Sequence, residues 1–311
     1  MDQPLVSVVI PVHGEAPYLE ETLRSVAGQT WPAVDVVIVD DRASAGLAAR
    51  VRAILAGARI VEAIGHGAGA ARNTGTDAAH GEYVAYLDAD DIWVPEKLAV
   101  QVEAITANPA VGVVCSAFYD YYRGRVTCVR PRRTRFREGD ALRAVLLDEI
   151  ALPSTILCRT ECVQAAGGWP TDAQFEDTRF FVALAAQYDF RFLPRPLVYY
   201  RRHDANRHMQ HRSGRLEAFL SVLQQARELR PDIDARLSRL LDAQAHFIAS
   251  YWHREGGRRG RALREAARAV ALNPRNYRYH LVLVRACLPG AVDRTIPRLE
   301  RALFSLRKRM D

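Results

Sequence analysis

The first half of the chain alternates short apolar runs with amphipathic stretches of helical period. The apolar runs lie at residues 6–11, 34–40, 83–88 and 112–116. They carry apolar side chains on both faces, as strands of a parallel sheet do when helices cover each side. The amphipathic stretches lie at residues 18–29, 45–56, 68–79 and 95–108. This alternation predicts βαβ units and a mostly parallel sheet with helices on both faces.

The pattern changes towards the end of the chain. Further α/β elements are expected as strands at residues 154–159 and 191–201 and a helix at residues 176–188. From about residue 213 only Arg-rich helical patterns remain. Residues 245–274 resemble one tetratricopeptide-like helical hairpin, and a single such unit cannot bury its apolar face alone. We therefore predict an α/β domain over residues 1–212 and an all-helical appendage over residues 213–311.

Composition excludes several classes of protein. The 311 residues are 49% hydrophobic and 25% charged, which is ordinary for a globular chain and excludes disordered and collagen-like classes. No apolar run approaches the roughly 20 residues of a membrane span. The start, MDQPLVSVVIP, carries an acid and a proline where a signal peptide would be basic. Five cysteines without a C-x-x-C pair exclude a zinc ribbon and favour reduced thiols, so we expect a cytoplasmic protein.

Charge is distributed unevenly along the chain. Residues 1–206 carry a net charge of −5, whereas residues 207–311 carry +12. Residues 291–310 combine apolar side chains near one helical face with Arg and Lys elsewhere. Such a helix can lie peripherally on an anionic membrane, or it can pack with the same face on the α/β domain. Both alternatives remain open at this point.

Acidic side chains stand at the ends of two predicted strands. Asp88 and Asp90 lie two residues apart on extended chain, so both can face one site. A divalent cation that bridges to a diphosphate would compensate their charge, but a solvated acidic turn is the alternative. Asp40 ends a second strand, where it can accept a hydrogen bond from a base or form an ordinary turn. Because ligands bind at the carboxyl ends of strands in open α/β sheets, we expect one shared ligand site.

Four segments carry a resemblance to a known family. They are PVHGEAPYLEETLRSVAGQTWPAVDVVIVDDRAS, GAGAARNTGTDAAHGEYVAYLDADDIWVPEKL, PSTILCRTECVQAAGGWP and FEDTRFFVALAAQYDFRFLPRPLVYYRRHDAN. In this order, over about residues 5–206, they resemble glycosyltransferase family 2. The resemblance implies a GT-A fold, which is a Rossmann-type α/β fold with a mostly parallel sheet.

The resemblance also implies roles for individual residues. The residues expected to bind the nucleotide sugar are Pro11, His13, Glu15, Asp40, Arg72, Gly75, Asp88 and Ala89. Asp90 and His203 are expected to hold Mn²⁺ or Mg²⁺. From the residues alone, Arg72 can equally form a surface salt bridge, Gly75 can permit close helix–sheet packing, and His203 can be a plain surface residue.

Glu176 and Asp177 match the family's catalytic base position, although acids also favour helix N-termini for electrostatic reasons. We expect Asp177 to be the base and Glu176 its partner, because an inverting transfer needs one carboxylate to take the acceptor proton. Trp169 can stack on an acceptor sugar or fill the core below its loop.

Seven arginines between residues 123 and 137 suggest a phosphate-bearing acceptor, such as a lipid-diphosphate sugar, or else a solvated loop. Nucleic acid is not expected as a partner, because aromatic residues for base stacking are sparse there.

The resemblance therefore implies a metal-dependent, inverting glycosyltransferase. Its expected donor is a nucleotide-diphospho-sugar, with a UDP-sugar preferred. Its expected acceptor is a hydroxyl of a glycan or lipid-linked sugar, as in cell-surface polysaccharide synthesis. The alternatives are a nucleotidyltransferase, which would be expected to carry a Gly-rich phosphate loop after the first strand, and a non-catalytic interaction module that kept the fold.

Overall fold

The computed structural model describes residues 3–131, 134–148, 150–171, 174–203 and 215–287. The chain divides into two compact units, Met1–Pro231 and Asp232–Asp311. The first unit is an α/β domain, and the described part of the second is entirely helical in its regular structure.

The first unit is built from ten strands and eight helices within the described residues. The strands are β1 (Val6–Gly14), β2 (Val34–Ala43), β3 (Arg59–Glu62), β4 (Tyr83–Tyr86), β5 (Ile92–Trp93), β6 (Val111–Tyr122), β7 (Arg125–Arg130), β8 (Glu138–Gly139), β9 (Ile156–Arg159) and β10 (Asp189–Arg202). The helices are α1 (Leu19–Ala27), α2 (Leu47–Arg52), α3 (Gly67–Asp77), α4 (Lys97–Thr106), α5 (Leu142–Asp148), α6 (Thr160–Ala165), α7 (Glu176–Ala185) and α8 (Arg215–Leu229). A 3₁₀ turn, Pro153–Thr155, precedes β9.

The strands form one sheet in the order β3-β2-β1-β4-β9-β6-β10-β5. The first four strands are parallel, β9 runs antiparallel between β4 and β6, and β6 and β10 are again parallel. β5 and β8 pair antiparallel with β10, and β7 pairs antiparallel with β6. The predicted fold class is confirmed.

Burial explains why the apolar runs form the centre of this sheet. The side chains of β1 from Val6 to Ile10 are fully buried on both faces. On α1, Leu19, Leu23 and Val26 face the core, while the acids of its first turn are more exposed. An amphipathic helix of this kind gains its stability by burying the apolar stripe against the sheet.

α8 determines where the first unit ends. The predicted boundary at residue 212 lies outside the described residues. α8 follows it and packs on α7, with the Phe219 ring 6.0 Å from that of Phe175. In addition, Arg179 donates a hydrogen bond to Ser221 Oγ at 2.6 Å. Because of this packing, the first compact unit extends to Pro231.

The second unit contains α9 (Ala235–Glu255), α10 (Arg259–Leu272) and α11 (Tyr277–Cys287). Buried alanines such as Ala262 and Ala266 on α10 allow the helices to approach closely, and Ser250 Oγ donates to the Ala262 carbonyl at 2.7 Å. α9 and α10 form the expected helical hairpin. The amphipathic segment at residues 291–310 lies outside the described residues. No described helix is both long and apolar enough to cross a bilayer.

Candidate active site

The carboxyl ends of β1, β2 and β4 lie side by side. Val12 on β1 is in register with Asp40 on β2, and β4 is the other parallel neighbour of β1. Asp40 is partly buried and accepts a hydrogen bond from the backbone N–H of Ala43 at 2.7 Å. The sequence-predicted residues Pro11, His13 and Asp40 therefore share one edge of the sheet with the acids that follow β4.

Arg72 links the acids after β4 to those that open α7. Its Nη2 donates to Asp88 Oδ1 at 2.7 Å, and its Nη1 lies 3.8 Å from Glu176 Oε1. Burial opposes the charge of Arg72, but the nearby Asp88 and Glu176 carboxylates outweigh it and raise the pKa of the guanidinium. Arg72 Nε and Nη1 are buried and have no hydrogen-bond partner among the described residues. Both atoms are enclosed by the protein, so Arg72 contributes positive charge to the site rather than open donors.

Asp90, two residues after Asp88, is in contact with His203. His203 Nε2 lies 2.9 Å from Asp90 Oδ2, and both side chains are only partly exposed, at 21% and 33%. Burial and the neighbouring Asp88 carboxylate raise the pKa of Asp90, while His203 acts in the other direction. The His203 ring also lies 5.4 Å from that of Tyr18. The structure therefore brings together two side chains that are 113 positions apart in the chain.

The side chains of Asp90 and His203 fit a divalent cation that is also bound by a substrate group. No group of three His, Cys, Asp or Glu side chains in the described part of the chain is placed to hold a metal ion. Asp90 and His203 present one carboxylate oxygen and one imidazole nitrogen at the same point. A carboxylate oxygen and an imidazole nitrogen are ligands that Mn²⁺ accepts, so Asp90 and His203 would be the residues to hold such an ion.

Asp91 has a different role from its two neighbours. It is fully buried, and Ser154 Oγ and the backbone N–H of Arg201 donate to its carboxylate at 2.6 and 2.9 Å. Burial and the charges of Asp90 and Asp88 raise its pKa well above the ordinary value. Asp91 thus joins β4, β10 and the 3₁₀ turn, and it supports the turn that carries Asp88 and Asp90.

Glu176 and Asp177 occupy the first turn of α7. Phe175, directly before them, has a left-handed backbone with φ of 60°, a conformation that is unusual for a bulky residue. Asp177 Oδ1 accepts from the backbone N–H of Thr178 at 2.6 Å and from its hydroxyl at 3.2 Å. Both acids are partly buried, so they remain accessible to a ligand beside Arg72.

For two residues with alternative roles, the structure favours packing. The ring of Trp169 is buried, with 2% of the residue exposed, and it stacks on Phe180 at 3.8 Å and beneath Arg72 at 4.5 Å. It therefore fills the core and cannot stack on an acceptor in this conformation. Gly75 is also buried: a Cβ at this position would lie 2.2 Å from Val9 Cγ1. It permits close packing of the helix on the sheet, which is the alternative that the sequence offered.

Other predicted residues lie at the rim of the site. His13 donates from Nδ1 to the Asp41 carbonyl at 2.6 Å, and its side chain is exposed. Glu15 is exposed, and its backbone carbonyl accepts from Arg50. Ala89 is partly buried and packs against the core between the two acids. Pro11 is partly buried inside β1.

An aromatic and arginine-rich hairpin extends from the same side of the sheet. β6 and β7 are joined by Arg123 and Gly124, which both have positive φ. Asp120 is buried on β6, where Arg130 and Arg202 donate hydrogen bonds to its carboxylate. Arg123 and Arg125 at the tip are exposed. The hairpin is thus connected to β10, the strand that leads to His203.

Comparison with known proteins shows which fold and which family the chain resembles. The 1–349 fragment of Staphylococcus aureus TarS, solved with UDP-GlcNAc, matches with a TM-score of 0.65 at 17% identity, over 94% of this chain and 92% of that chain. The mannosyltransferase PcManGT of Pyrobaculum calidifontis, solved with GDP-Man and Mn²⁺, matches with a TM-score of 0.59 at 23% identity, over 98% of this chain and 86% of that chain. At these identities the likeness shows the fold alone, which is that of the GT-A glycosyltransferases.

Sequence comparison is more specific. Residues 7–155 match the profile described as glycosyl transferase family 2. These residues are just under half of the chain, and over them the sequence is similar to glycosyltransferase family 2. TuaG of Bacillus subtilis is 38% identical over 109 residues, which are 32% of this chain and 42% of that protein. WfgD of Escherichia coli, named UDP-Glc:alpha-D-GlcNAc-diphosphoundecaprenol beta-1,3-glucosyltransferase, is 32% identical over 111 residues, which are 35% of this chain and 44% of that protein. The match thus spans less than half the length of each of these two relatives.

Arg201 and Asp91 were not among the residues predicted from the sequence. Arg201 stands in the run Tyr200-Arg201-Arg202-His203, where arginines are common and none is distinguished by spacing. Asp91 was assigned no role of its own in the acidic run. The burial of both is the signal that identifies them, and burial is a property of the tertiary structure.

Proposed function

We propose that the chain is an inverting glycosyltransferase that moves a sugar from a nucleotide-diphospho-sugar to an acceptor hydroxyl. The observation that carries this proposal is the bridge from Asp88 through Arg72 to Glu176. It joins the acids at the carboxyl end of the sheet, where a donor is expected, to the acids expected to act on the acceptor. The residues proposed for the donor side and the acceptor side of the reaction are therefore linked through Arg72.

In the proposed reaction, Asp177 takes the proton of the acceptor hydroxyl as its oxygen attacks the anomeric carbon. The bond from that carbon to the diphosphate oxygen breaks, and the diphosphate leaves with the electron pair. Attack from the face opposite the leaving group inverts the anomeric centre. Glu176, next to Arg72, positions the acceptor side of the site.

The donor-side residues bind and orient the nucleotide sugar. Asp40 lies where it can accept a hydrogen bond from the base, and Asp88, fixed by Arg72, lies where it can accept from sugar hydroxyls. Arg72 holds Asp88 in this orientation and adds positive charge beside the proposed position of the anionic donor. A Mn²⁺ or Mg²⁺ ion bound by Asp90 and His203 would neutralise the charge of the diphosphate.

A UDP-sugar is the proposed donor. WfgD is named for UDP-Glc, and TarS was solved with UDP-GlcNAc, whereas PcManGT was solved with GDP-Man. The relative that is 32% identical by sequence therefore favours UDP, and GDP is the alternative for the test.

The proposed acceptor is a glycan or lipid-linked sugar used in polysaccharide synthesis. WfgD is named for a diphosphoundecaprenol acceptor. The exposed arginines at the hairpin tip, Arg123 and Arg125, supply positive charge that complements a diphosphate. A sugar linked to a lipid diphosphate is therefore the acceptor to use in a first experiment.

The experiment is a transfer assay with Mn²⁺, a panel of UDP- and GDP-sugars and a lipid-diphosphate sugar acceptor. Release of the nucleoside diphosphate and the mass and anomeric configuration of the product are measured. We expect Asp177→Asn to lower turnover by about 10² to 10⁴-fold while donor binding persists.

Asp77→Asn, at an exposed acid at the end of α3, is the matched control and should keep full activity. Full activity of Asp177→Asn, or a product with retained configuration, would contradict the proposed mechanism. Transfer of a nucleotidyl group instead of a sugar would replace the proposal with the nucleotidyltransferase alternative.

A further inference from the structure

Arg201 is a buried arginine on β10, two residues before His203. Its Nε donates to the backbone carbonyl of Asp90 at 2.8 Å. Its Nη2 donates to Glu21 Oε2 on α1 at 2.7 Å. Its backbone N–H donates to Asp91 Oδ1 at 2.9 Å. One residue thus connects β10 to helix α1 and to two successive residues of the acidic turn.

The guanidinium of Arg201 also lies between aromatic rings. Its central carbon is 4.2 Å from the ring centroid of Tyr18 and 5.2 Å from that of Tyr121. Tyr18 is the residue whose ring also contacts the ring of His203. Arg201 is therefore linked to both proposed metal ligands. It binds the backbone carbonyl of Asp90, and it is linked to His203 by the short stretch of backbone between them and by the ring of Tyr18.

A charged side chain is expensive to bury unless its donors are paired. Only 10% of the Arg201 side chain is exposed, and the planar guanidinium fork donates in two directions at once. A lysine has a single nitrogen at its end and cannot reproduce the two separated bonds and the stacking together. These two bonds therefore require an arginine at position 201. One of them is accepted by the backbone of Asp90, the residue proposed as a metal ligand.

We propose that Arg201 is a positioning residue that holds Asp90 and His203 in register for a divalent cation and its diphosphate. The inference rests on the proposed function, since Asp90 and His203 are ligands in that account. Outer partners that fix ligand orientation contribute about 10- to 100-fold to metal affinity. Loss of the Arg201 side chain should release the Asp90 carbonyl and Tyr18 together, and the two ligands should then lose their common orientation.

The test is calorimetric titration of Mn²⁺ with UDP into the full chain and its variants. Arg201→Gln and Arg201→Lys should each weaken Mn²⁺-dependent UDP binding by about 10- to 100-fold. In the transfer assay, KM for the donor should rise more than kcat falls, because the acceptor-side acids are not touched. If Arg201 had a purely structural role, its substitution would lower the melting temperature but would not raise KM for the donor more than it lowers kcat.

Two further variants keep the test decisive. Arg195→Gln is the matched control, because Arg195 is on the same strand but is exposed beside Glu96. It should bind Mn²⁺ and UDP like the unchanged protein. Glu21→Gln removes the outer ion pair while it leaves the Arg201 bond to the Asp90 carbonyl in place, and a smaller loss of affinity is expected.

A folded Arg201→Gln protein with unchanged Mn²⁺-dependent affinity would overturn the inference and leave the proposed function intact. If Arg201→Gln does not fold, unchanged affinity in both Arg201→Lys and Glu21→Gln has the same meaning. If the unchanged protein transfers no sugar and binds no nucleotide diphosphate with Mn²⁺, the proposed function fails, and the positioning role fails with it.

Discussion

At the scale of single residues, the three acids that follow β4 have three different environments. Asp88 is paired with Arg72, Asp90 lies against His203, and Asp91 is buried among neutral donors. Crowded carboxylates repel one another, and each therefore needs its own compensation. Asp88 is compensated by Arg72, and Asp91 is compensated by its hydrogen-bond donors. Asp90 is therefore the acid of this turn that fits a metal ion.

Lys97 is another buried ionisable residue, and it permits a prediction about pH. It is fully buried on α4, where its Nζ donates to the Ile156 carbonyl at 3.1 Å and lies 3.8 Å from the Trp93 ring centroid. Burial lowers the pKa of Lys97 well below its ordinary value of 10.5. Between the lowered pKa and 10.5 the unfolded chain holds one proton more than the folded chain, so the free energy of unfolding rises with pH.

Lys97→Met should remove this dependence. From pH 8 to pH 9 the unchanged protein should gain up to about 1.4 kcal/mol in free energy of unfolding relative to the variant, as measured by urea denaturation. Gln101→Met is the matched control, because Gln101 donates to the Thr155 carbonyl one helical turn further along but does not titrate. Parallel pH profiles for the protein and Lys97→Met would show that Lys97 stays charged when folded.

The sequence indicates which residues stand at strand ends and helix starts better than it indicates the residues that support them. The positions of Asp88 and Asp90 at a strand end and of Asp177 at a helix start are visible in the pattern of the chain, whereas the role of Asp177 follows from the family resemblance and stays a prediction. Trp169 was left open, because a tryptophan before a helix can face solvent or core with the same local sequence. Arg201 was missed for the same reason, since its partners come from three other elements.

At the scale of elements, α3 lies very close to the sheet and to the loop before α7. A Cβ on Gly75 would meet Val9 and Val39 of the two central strands, and one on Gly69 would lie 2.0 Å from the Pro170 carbonyl. This close approach places Arg72, in the middle of α3, between the two groups of acids. The packing of one helix therefore determines the geometry of the bridge from Asp88 to Glu176.

Gly75→Ala should destabilise the protein by about 1–3 kcal/mol in chemical denaturation, because overpacking outweighs the better helix propensity of alanine. Gly57→Ala is the control: a Cβ there has open space, and its φ is not positive. It should change stability by no more than about 1 kcal/mol, in the stabilising direction. Equal stability of the two variants would contradict the close packing of α3.

The predicted elements are those with the strongest burial. β1 and β2 were found because their apolar runs are continuous, as buried parallel strands require. β7 was not predicted, since Val126 and Val129 are exposed on it and polar side chains lie between them. β5 and β8 are two residues long each, and pairing with β10 defines them rather than any local preference. Edge and short strands depend on the neighbour that they pair with.

At the scale of the whole molecule, the chain contains two compact units, and the first ends after α8. A fragment of residues 1–231 should unfold cooperatively and keep Mn²⁺-dependent nucleotide binding. A fragment of residues 1–212 lacks α8, whose buried residues Phe219, Val222 and Leu223 each contribute about 1.5–3 kcal/mol of burial. It should melt at a clearly lower temperature or aggregate. Equal melting temperatures would show that α8 is dispensable for the first unit.

The helical character of the second unit followed from the sequence, because its apolar positions have helical period and strand signals are lacking. The end of the first unit at Pro231 could not be predicted from the sequence. α8 has a helical pattern like the helices after it, and only its contacts with Phe175 and Arg179 assign it to the α/β unit. A helical pattern alone does not say which neighbour a helix packs on.

The most direct test of the account is calorimetric titration of UDP, and in parallel GDP, into the full chain with Mn²⁺ or with a chelator. One nucleoside diphosphate should bind in the presence of Mn²⁺, and the affinity should fall at least tenfold with chelator and in Asp90→Ala, which should still fold. Equal affinity with chelator, or binding of neither nucleotide with Mn²⁺, would contradict the claim that Asp90 and His203 serve a metal-dependent sugar-transfer site.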